Sequence, residues 1–336
     1  MSSYKKKIRG GNTMKTKRIV ALLLVLILGL ALMAGCAKPA PAPAPGEEPA
    51  VKEKIVVGAA MPIFDDKWLS YLYDAIKAYD AENDDVEVIM VDAKNDSGTQ
   101  LAQVESFITQ GVDVILTIPV DVPGFGPVAQ AAKEAGIPLV VMNRTPLDAD
   151  MALVTSFVGS DSIDAGLMQA EKVMEMIGGK GNVVIMNGEL GQEAAIMRTQ
   201  GNKDILAKYP DVKLIKENTG RWSRAEGMTL MENWLQAGEP IAAVLANNDE
   251  MAIGAIMALE AEGKLANTVV SGVDATPDAI EYVKDGKLAV TVFQDAVGQG
   301  RGGIETAVKA AKGEAVEKIV WIPFELVTKD NYEKFQ

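Results

Sequence analysis

No histidine occurs among the 336 residues, and cysteine occurs once. The absence of histidine removes Ser-His-Asp and Cys-His nucleophilic catalysis and the commonest zinc sites. It also removes the one side chain that ordinarily titrates near neutral pH. A single cysteine cannot form a disulfide within the chain, so its presence asks for another explanation. Basic residues are outnumbered, 33 Lys and Arg against 46 Asp and Glu. Seven of the basic residues and none of the acids fall in the first 36 positions, so the remainder carries 26 basic against 46 acidic residues, a net charge near −20. Such a surface repels nucleic-acid phosphates and offers no basic face to a membrane.

The missing basic charge is concentrated at the N-terminus. Lys5, Lys6, Lys7, Arg9, Lys15, Lys17 and Arg18 precede an apolar run over 19–33. The run is short for a membrane span and is followed by small residues, the pattern of an export signal over 1–35. Leu32-Met33-Ala34-Gly35-Cys36 resembles the bacterial lipobox, with Met33 where leucine is usual. The resemblance implies that Cys36 is lipidated and becomes the N-terminus, which accounts for the lone cysteine. Positions 36–53 then form a tether rich in Pro and Ala, extended and semi-rigid.

About 285 residues remain for the folded body, enough for one large or two medium domains. Short apolar runs alternate with amphipathic ones. Strands are expected over 55–60, 86–91, 112–118, 138–142, 152–158, 182–186, 212–217, 241–246, 268–273, 288–293 and 318–323. Helices are expected over 66–80, 97–110, 123–135, 162–177, 192–208, 223–236, 249–262, 277–285 and 298–312, with Ser97 a good residue to cap the second of them. This alternation predicts an α/β fold with parallel sheets covered on both faces. So many strands exceed what one sheet of this chain length holds, so two domains are expected.

Polar and aromatic residues recur just after the strands. The run over 241–246 ends at Asn247-Asn248-Asp249 and continues as an apolar helix. One of these three is expected to cap that helix, with Asn248 also placed for a ligand. Asp66 and Trp68 follow the first strand, Asn143 and Arg144 the fourth, Gln192 and Arg198 the sixth, and Trp222 the seventh. Asp274 and Gln294 follow the last two strands before the C-terminal helix. In open α/β sheets this edge faces the ligand crevice. Asp, Asn, Gln and Arg offer paired donors and acceptors to adjacent hydroxyls, and Trp covers the C–H face of a sugar ring. Each neutral hydrogen bond is worth about 0.5–1.5 kcal/mol net, and about 1.5–3 when one partner is charged. The set therefore suits an uncharged polyhydroxylated ligand.

Other features read as structure. Trp234 has the spacing of a core residue, and the sixteen methionines look like core filler. Asp92-Ala93-Lys94-Asn95-Asp96 lacks the spacing of a calcium loop. Gly298-Gln299-Gly300-Arg301-Gly302-Gly303 imitates a phosphate-binding glycine loop without the acidic partner such a unit carries. No metal and no cofactor are expected.

From about Lys54 to Gln336 the chain resembles bacterial periplasmic monosaccharide-binding proteins of ABC transporters, the galactose/glucose-binding type above all, with ribose- and inositol-binding relatives. The segments that carry it are Asp65-Asp66-Lys67-Trp68, Val141-Met142-Asn143-Arg144, Asn187-Gly188-Glu189-Leu190-Gly191, Ala246-Asn247-Asn248-Asp249, Gly272-Val273-Asp274-Ala275 and Val327-Thr328-Lys329-Asp330-Asn331. The resemblance implies the type I periplasmic-binding-protein fold, two Rossmann-like lobes joined by a three-strand hinge. It places the first lobe at 54–161 plus 296–323 and the second at 162–295 plus 324–336. It implies that Asp66, Asn143, Arg198, Asn248, Asp274 and Gln294 bind sugar hydroxyls, and that Trp68 and Trp222 stack on the ring. Gln192 and Ala194 stand where the galactose/glucose type has histidine and aspartate, and Arg144 is shared with the ribose and inositol types. A pentose or an inositol is thus an alternative to a hexose. The calcium loop of the galactose/glucose type is absent.

The resemblance further implies a monomeric, non-enzymatic protein outside the cytoplasm. Its partners would be a monosaccharide, an ABC permease with its ATPase and, as a further expectation, a chemoreceptor, and it would touch the membrane only through a lipid anchor. Two rivals differ in observable ways. A sugar-modifying enzyme would turn its ligand over. A nucleoside-binding lipoprotein would use the two tryptophans to hold a base, and adenosine would compete. Sugar-controlled repressors of the same architecture carry an N-terminal DNA-binding unit where this chain has an export signal.

Overall fold

The computed structural model describes residues 54–336. The export signal, Cys36 and the Pro/Ala tether lie outside the described residues. Twelve strands form two six-stranded sheets. The first contains β1 (Ile55–Met61), β2 (Val86–Asp92), β3 (Val114–Thr117), β4 (Leu139–Met142), β5 (Ser156–Gly159) and β11 (Ile319–Trp321), in the order β11-β5-β4-β3-β1-β2 and wholly parallel. The second contains β6 (Lys180–Asn187), β7 (Asp211–Thr219), β8 (Ala243–Ala246), β9 (Val269–Ser271), β10 (Val290–Phe293) and β12 (Glu325–Thr328), in the order β12-β10-β9-β8-β6-β7. Only β12 runs antiparallel, against β10.

The central strands are buried on both faces, as parallel sheets under helices require. Val114–Thr117 and Ala243–Ala246 are buried throughout. Apolar clusters line both faces of each sheet. Leu72, Ile76, Leu116 and Ile304 sit on one face of the first, and Phe107, Ile115, Phe125 and Phe157 on the other. At about 1.5–3 kcal/mol for each large side chain fully buried, these layers are the main stabilising term. Trp234 is in the core of the second sheet, as its spacing predicts. Six methionines are fully buried, but Met176 and Met257 are substantially exposed, so core filling describes only part of the set.

The glycine run over 298–303 lies inside the helix Ala296–Ala311. A Cβ at Gly300 would come within 2.4 Å of the Leu72 carbonyl, and one at Gly303 within 2.0 Å of Met142 Sδ. The glycines let this helix lie close against the helix Lys67–Glu82 and against β4, which is their physical reason.

Four local expectations need correction. Asp96, not Ser97, caps the helix Ser97–Gln110, accepting from the Thr99 amide at 2.6 Å, while Ser97 Oγ bonds Asp121. The strand expected over 152–158 is Ser156–Gly159, preceded by a short helix Asp148–Met151. The C-terminal helix begins at Ala296, with Asp295 as its cap. β12 was not foreseen, because four residues beside an already short strand show no period of their own.

Both sheets reverse their strand order at one place, between β1 and β3 in the first and between β6 and β8 in the second. The loops that leave the carboxyl ends of these strands diverge there and leave a crevice. The chain passes from one sheet to the other three times, at 160–161, 294–295 and 322–324. Among the described residues no helix is long and apolar enough to cross a membrane.

Candidate functional site

The ten side chains singled out in the body of the sequence line one cavity, with Leu69 and Ala194 completing the wall. Its empty volume is about 410 Å³, counted together with the solvent-open space at its mouth. A wider outer cavity shares Asp66, Arg144, Gln192 and Trp222 with it and is lined further out by Lys67, Glu189, Arg221 and Glu250.

On the side of the first sheet, each residue is anchored separately. Asp66 caps the helix Lys67–Glu82, its Oδ1 accepting from the Leu69 amide at 2.8 Å. Burial pushes its carboxyl above the usual range, while the cap bond and Arg144 pull it back. Trp68 is 8% exposed and donates from Nε1 to the Gln294 carbonyl at 3.1 Å. Asn143 adopts a φ of 63° and donates from Nδ2 to Gln299 Oε1 at 3.1 Å. Arg144 is 5% exposed and donates from Nη1 to the carbonyls of Pro119 and Val120, both at 2.7 Å. Burial lowers its pKa, and Asp66 opposes that shift.

On the side of the second sheet, the residues hold one another. Arg198 Nη1 donates to the Asn247 carbonyl at 2.7 Å and lies 3.5 Å from Asp274 Oδ1. Its Nη2 donates to Gln294 Oε1 at 2.7 Å, and its Nε has no partner among the described residues. The guanidinium sits 5.8 Å from the centre of the Trp222 ring. Burial drives the Asp274 carboxyl well above the carboxylate range, against the pull of Arg198. Trp222 donates from Nε1 to Gln192 Oε1 at 2.8 Å. Asn248 caps the helix Asp249–Ala261 through Met251 and donates from Nδ2 to the Trp222 carbonyl at 3.2 Å.

The sequence reading gave no supporting role to the residues behind this arrangement: Asn247 and Asp249 stood only as cap candidates, Gln299 only as part of a glycine run, and Glu193 was passed over. Asn247 is fully buried, and its Oδ1 accepts from the Gly188 amide and from Thr199 Oγ1. Asp249, also fully buried, accepts from Thr291 Oγ1 and the Thr276 amide, and burial raises its pKa to about 7. Glu193 accepts from Ser162 Oγ, and burial raises its pKa to about 7. Gln299 joins Asn143 to Ser160. Asn247 and Asp249 carried a signal, since polar residues that directly end an apolar strand need buried partners. Gln299 was hidden within the glycine run.

The cavity thus combines two arginines, two carboxylates, four carboxamides and two indoles. This is chemistry for holding many hydroxyls at fixed positions. Among the described residues no group of His, Cys, Asp or Glu side chains is arranged to hold a metal ion.

Comparison with known proteins points the same way. Residues 57–315 match the family model described as the periplasmic binding protein domain. The chain is 45% identical over 284 residues to the putative rhizopine-binding protein of Rhizobium meliloti, covering 83% of this chain and 92% of that protein. It is 36% identical over 254 residues to the xylitol-binding protein of Mycolicibacterium smegmatis, covering 75% and 72%. Among solved structures, an ABC transporter solute-binding protein from Bacillus halodurans with bound myo-inositol superposes with a TM-score of 0.82 at 48% identity, covering 85% of this chain and 98% of that one.

Proposed function

The chain belongs to the periplasmic binding protein domain family, with the type I fold of two mostly parallel α/β sheets, and from that premise we propose that it captures a neutral cyclic polyol outside the cytoplasm and delivers it to an ABC permease. The observation that carries this is the convergence of Asp66, Trp68, Asn143 and Arg144 with Gln192, Arg198, Trp222, Asn248, Asp274 and Gln294 on one cavity from the carboxyl edges of both sheets. A ligand there touches both halves and stabilises their approach. The three crossings at 160–161, 294–295 and 322–324 serve as the hinge between lobes at 54–161 plus 296–323 and at 162–295 plus 324–336.

Within this class, the relatives move the weight from galactose or glucose toward inositol. The chain that shares 48% identity over most of its length holds myo-inositol, and Ala194 supplies no hydrogen bond where the galactose/glucose type has a carboxylate. The protein works as a monomer and leaves the bonds of its ligand unchanged. A lipid on Cys36 anchors it to the membrane, and the tether over 36–53 gives the body reach to the permease and its ATPase.

The test is tryptophan fluorescence of the full chain, held in detergent and titrated with myo-inositol, xylitol, ribose, glucose, galactose and adenosine. Saturation by myo-inositol in the micromolar range is the expected result. Saturation only by another polyol reassigns the ligand, a response to adenosine alone replaces the reading with a nucleoside, and silence throughout, confirmed by calorimetry, overturns it.

A further inference from the structure

The amide of Gln192 has one orientation open to it. The indole N–H of Trp222 donates and cannot accept, and it meets Gln192 Oε1 at 2.8 Å. The carbonyl end of the amide must therefore face the indole, which leaves Nε2 and its two N–H bonds. Gln192 is 5% exposed and lines the cavity, and among the described residues no group accepts from that nitrogen. The two unused donors belong to a residue of the cavity wall.

Trp222 is itself fixed from several sides. Arg221 and Trp222 stand at φ of 50° and 62°, a region that non-glycine residues avoid. The Trp222 carbonyl accepts from Asn248. Its ring lies on Gly188, where a Cβ would come within 2.0 Å of it. An indole held this tightly is a rigid ruler for the amide beside it.

Two further carboxamides are polarised in the same sense. Gln294 Oε1 accepts from the Arg198 guanidinium, and Asn248 Oδ1 accepts from the Met251 amide. Each partner can only donate, so Gln294 keeps its nitrogen for other use, while Asn248 spends one N–H on the Trp222 carbonyl and keeps the other. Gln192 and Gln294 therefore keep both amide N–H bonds for a ligand, and Asn248 keeps one. Acceptors come from Asp66, Asp274 and Asn143, whose Nδ2 is committed to Gln299.

We propose that the Gln192–Trp222 pair is a polarity filter. It admits a hydroxyl or ether oxygen on the ligand ring and refuses an ammonium group at the same position. Gln192 is the specificity-determining residue and Trp222 positions it. The physical reason is that an ammonium has three donors and no acceptor, so it would face N–H bonds whose complementary oxygen is held away. The proposal rests on the polyol reading above.

The test is calorimetry on the full chain in detergent with myo-inositol and a series of amino-deoxy inositols, one ammonium at each ring position. Wild type is expected to bind the analogue whose ammonium faces Gln192 about 100-fold or more weakly than myo-inositol. In Q192E one carboxylate oxygen keeps the indole bond and the other becomes an acceptor, so the ratio should narrow by about 100-fold. W222F keeps an aromatic face but frees the amide to turn, and should narrow the ratio about tenfold on top of whatever affinity all the ligands lose in common. A ratio unmoved in both variants, or an equal loss for every ligand, would overturn the filter. The lock is also read without ligand. The indole N–H resonance of Trp222, assigned by its loss in W222F, should shift and exchange faster with solvent in Q192L. If wild type binds no polyol, the polyol reading fails by itself, and an indole signal unmoved in Q192L then overturns the lock.

Discussion

The two walls of the cavity are built differently. On the first sheet, Asp66, Trp68, Asn143 and Arg144 each lean on a different partner: a helix amide, the backbone carbonyl of Gln294 from the other wall, Gln299 and two loop carbonyls. On the second sheet, Gln192, Trp222, Asn248, Arg198, Asp274 and Gln294 lean on one another, with Asn247 inside the knot. Removing one residue from the first wall should cost that residue's contacts. Removing one from the second should cost its neighbours' order as well, because side chains in a shared buried network fix one another's geometry.

The sharpest way to break this contrast is to compare R198M with R144M by urea unfolding. R198M strands the Asn247 carbonyl, Gln294 Oε1 and Asp274 Oδ1, and a loss of about 3–5 kcal/mol is expected, together with loss of saturable polyol binding. R144M strands two backbone carbonyls, and about 1–3 kcal/mol is expected. Equal losses would mean that the two walls are alike.

A second effect follows from where the raised carboxylates sit. Asp249 and Glu193, both on the second sheet's side, titrate near 7 because burial disfavours their charge. Between the ordinary carboxylate range and pH 7 the folded state therefore holds more protons than the unfolded one. This contribution is fully present below about pH 4 and is lost as pH rises to about 7. The urea midpoint should thus fall between pH 5 and pH 7.5, and E193Q should flatten the fall by about 1–3 kcal/mol. A slope identical in wild type and E193Q would remove Glu193 from the account.

Double-mutant cycles on ligand affinity sharpen the comparison further. Q192A with W222A should show a coupling of about 1 kcal/mol or more, and D66N with N143A should add within about 0.5 kcal/mol. Coupling of similar size in both pairs would argue against two kinds of wall. The smallest effect belongs to the cap. D66A should lower stability by about 1 kcal/mol and D66N almost not at all, since Asn caps as well as Asp. If both weaken ligand binding alike, the carboxylate rather than the cap is what the ligand needs.

Much of this was legible in the residues. Strand–helix alternation gave the α/β class, and the habit of polar residues to follow strands picked out every side chain on the cavity wall except Leu69 and Ala194. The misses have physical reasons. β12 is too short to show a period and exists because β10 has a free edge to pair. Asp96 rather than Ser97 caps its helix because Ser97 is drawn to Asp121, 24 residues away. Gln299 looked like part of a glycine motif, yet it reaches Asn143 only because the glycines around it seat the helix against its neighbour.

What the sequence determined by itself is the kind of fold and the chemistry of the site, because both follow from local pattern: the period of apolar residues and the identity of what ends each strand. Only the tertiary structure decided how those groups are polarised. That Gln192 and Gln294 give their carbonyl ends to protein donors depends on an indole 30 residues from one and a guanidinium 96 residues from the other. A carboxamide carries a donor and an acceptor at nearly the same place, and nothing in its own sequence says which end the fold will leave free.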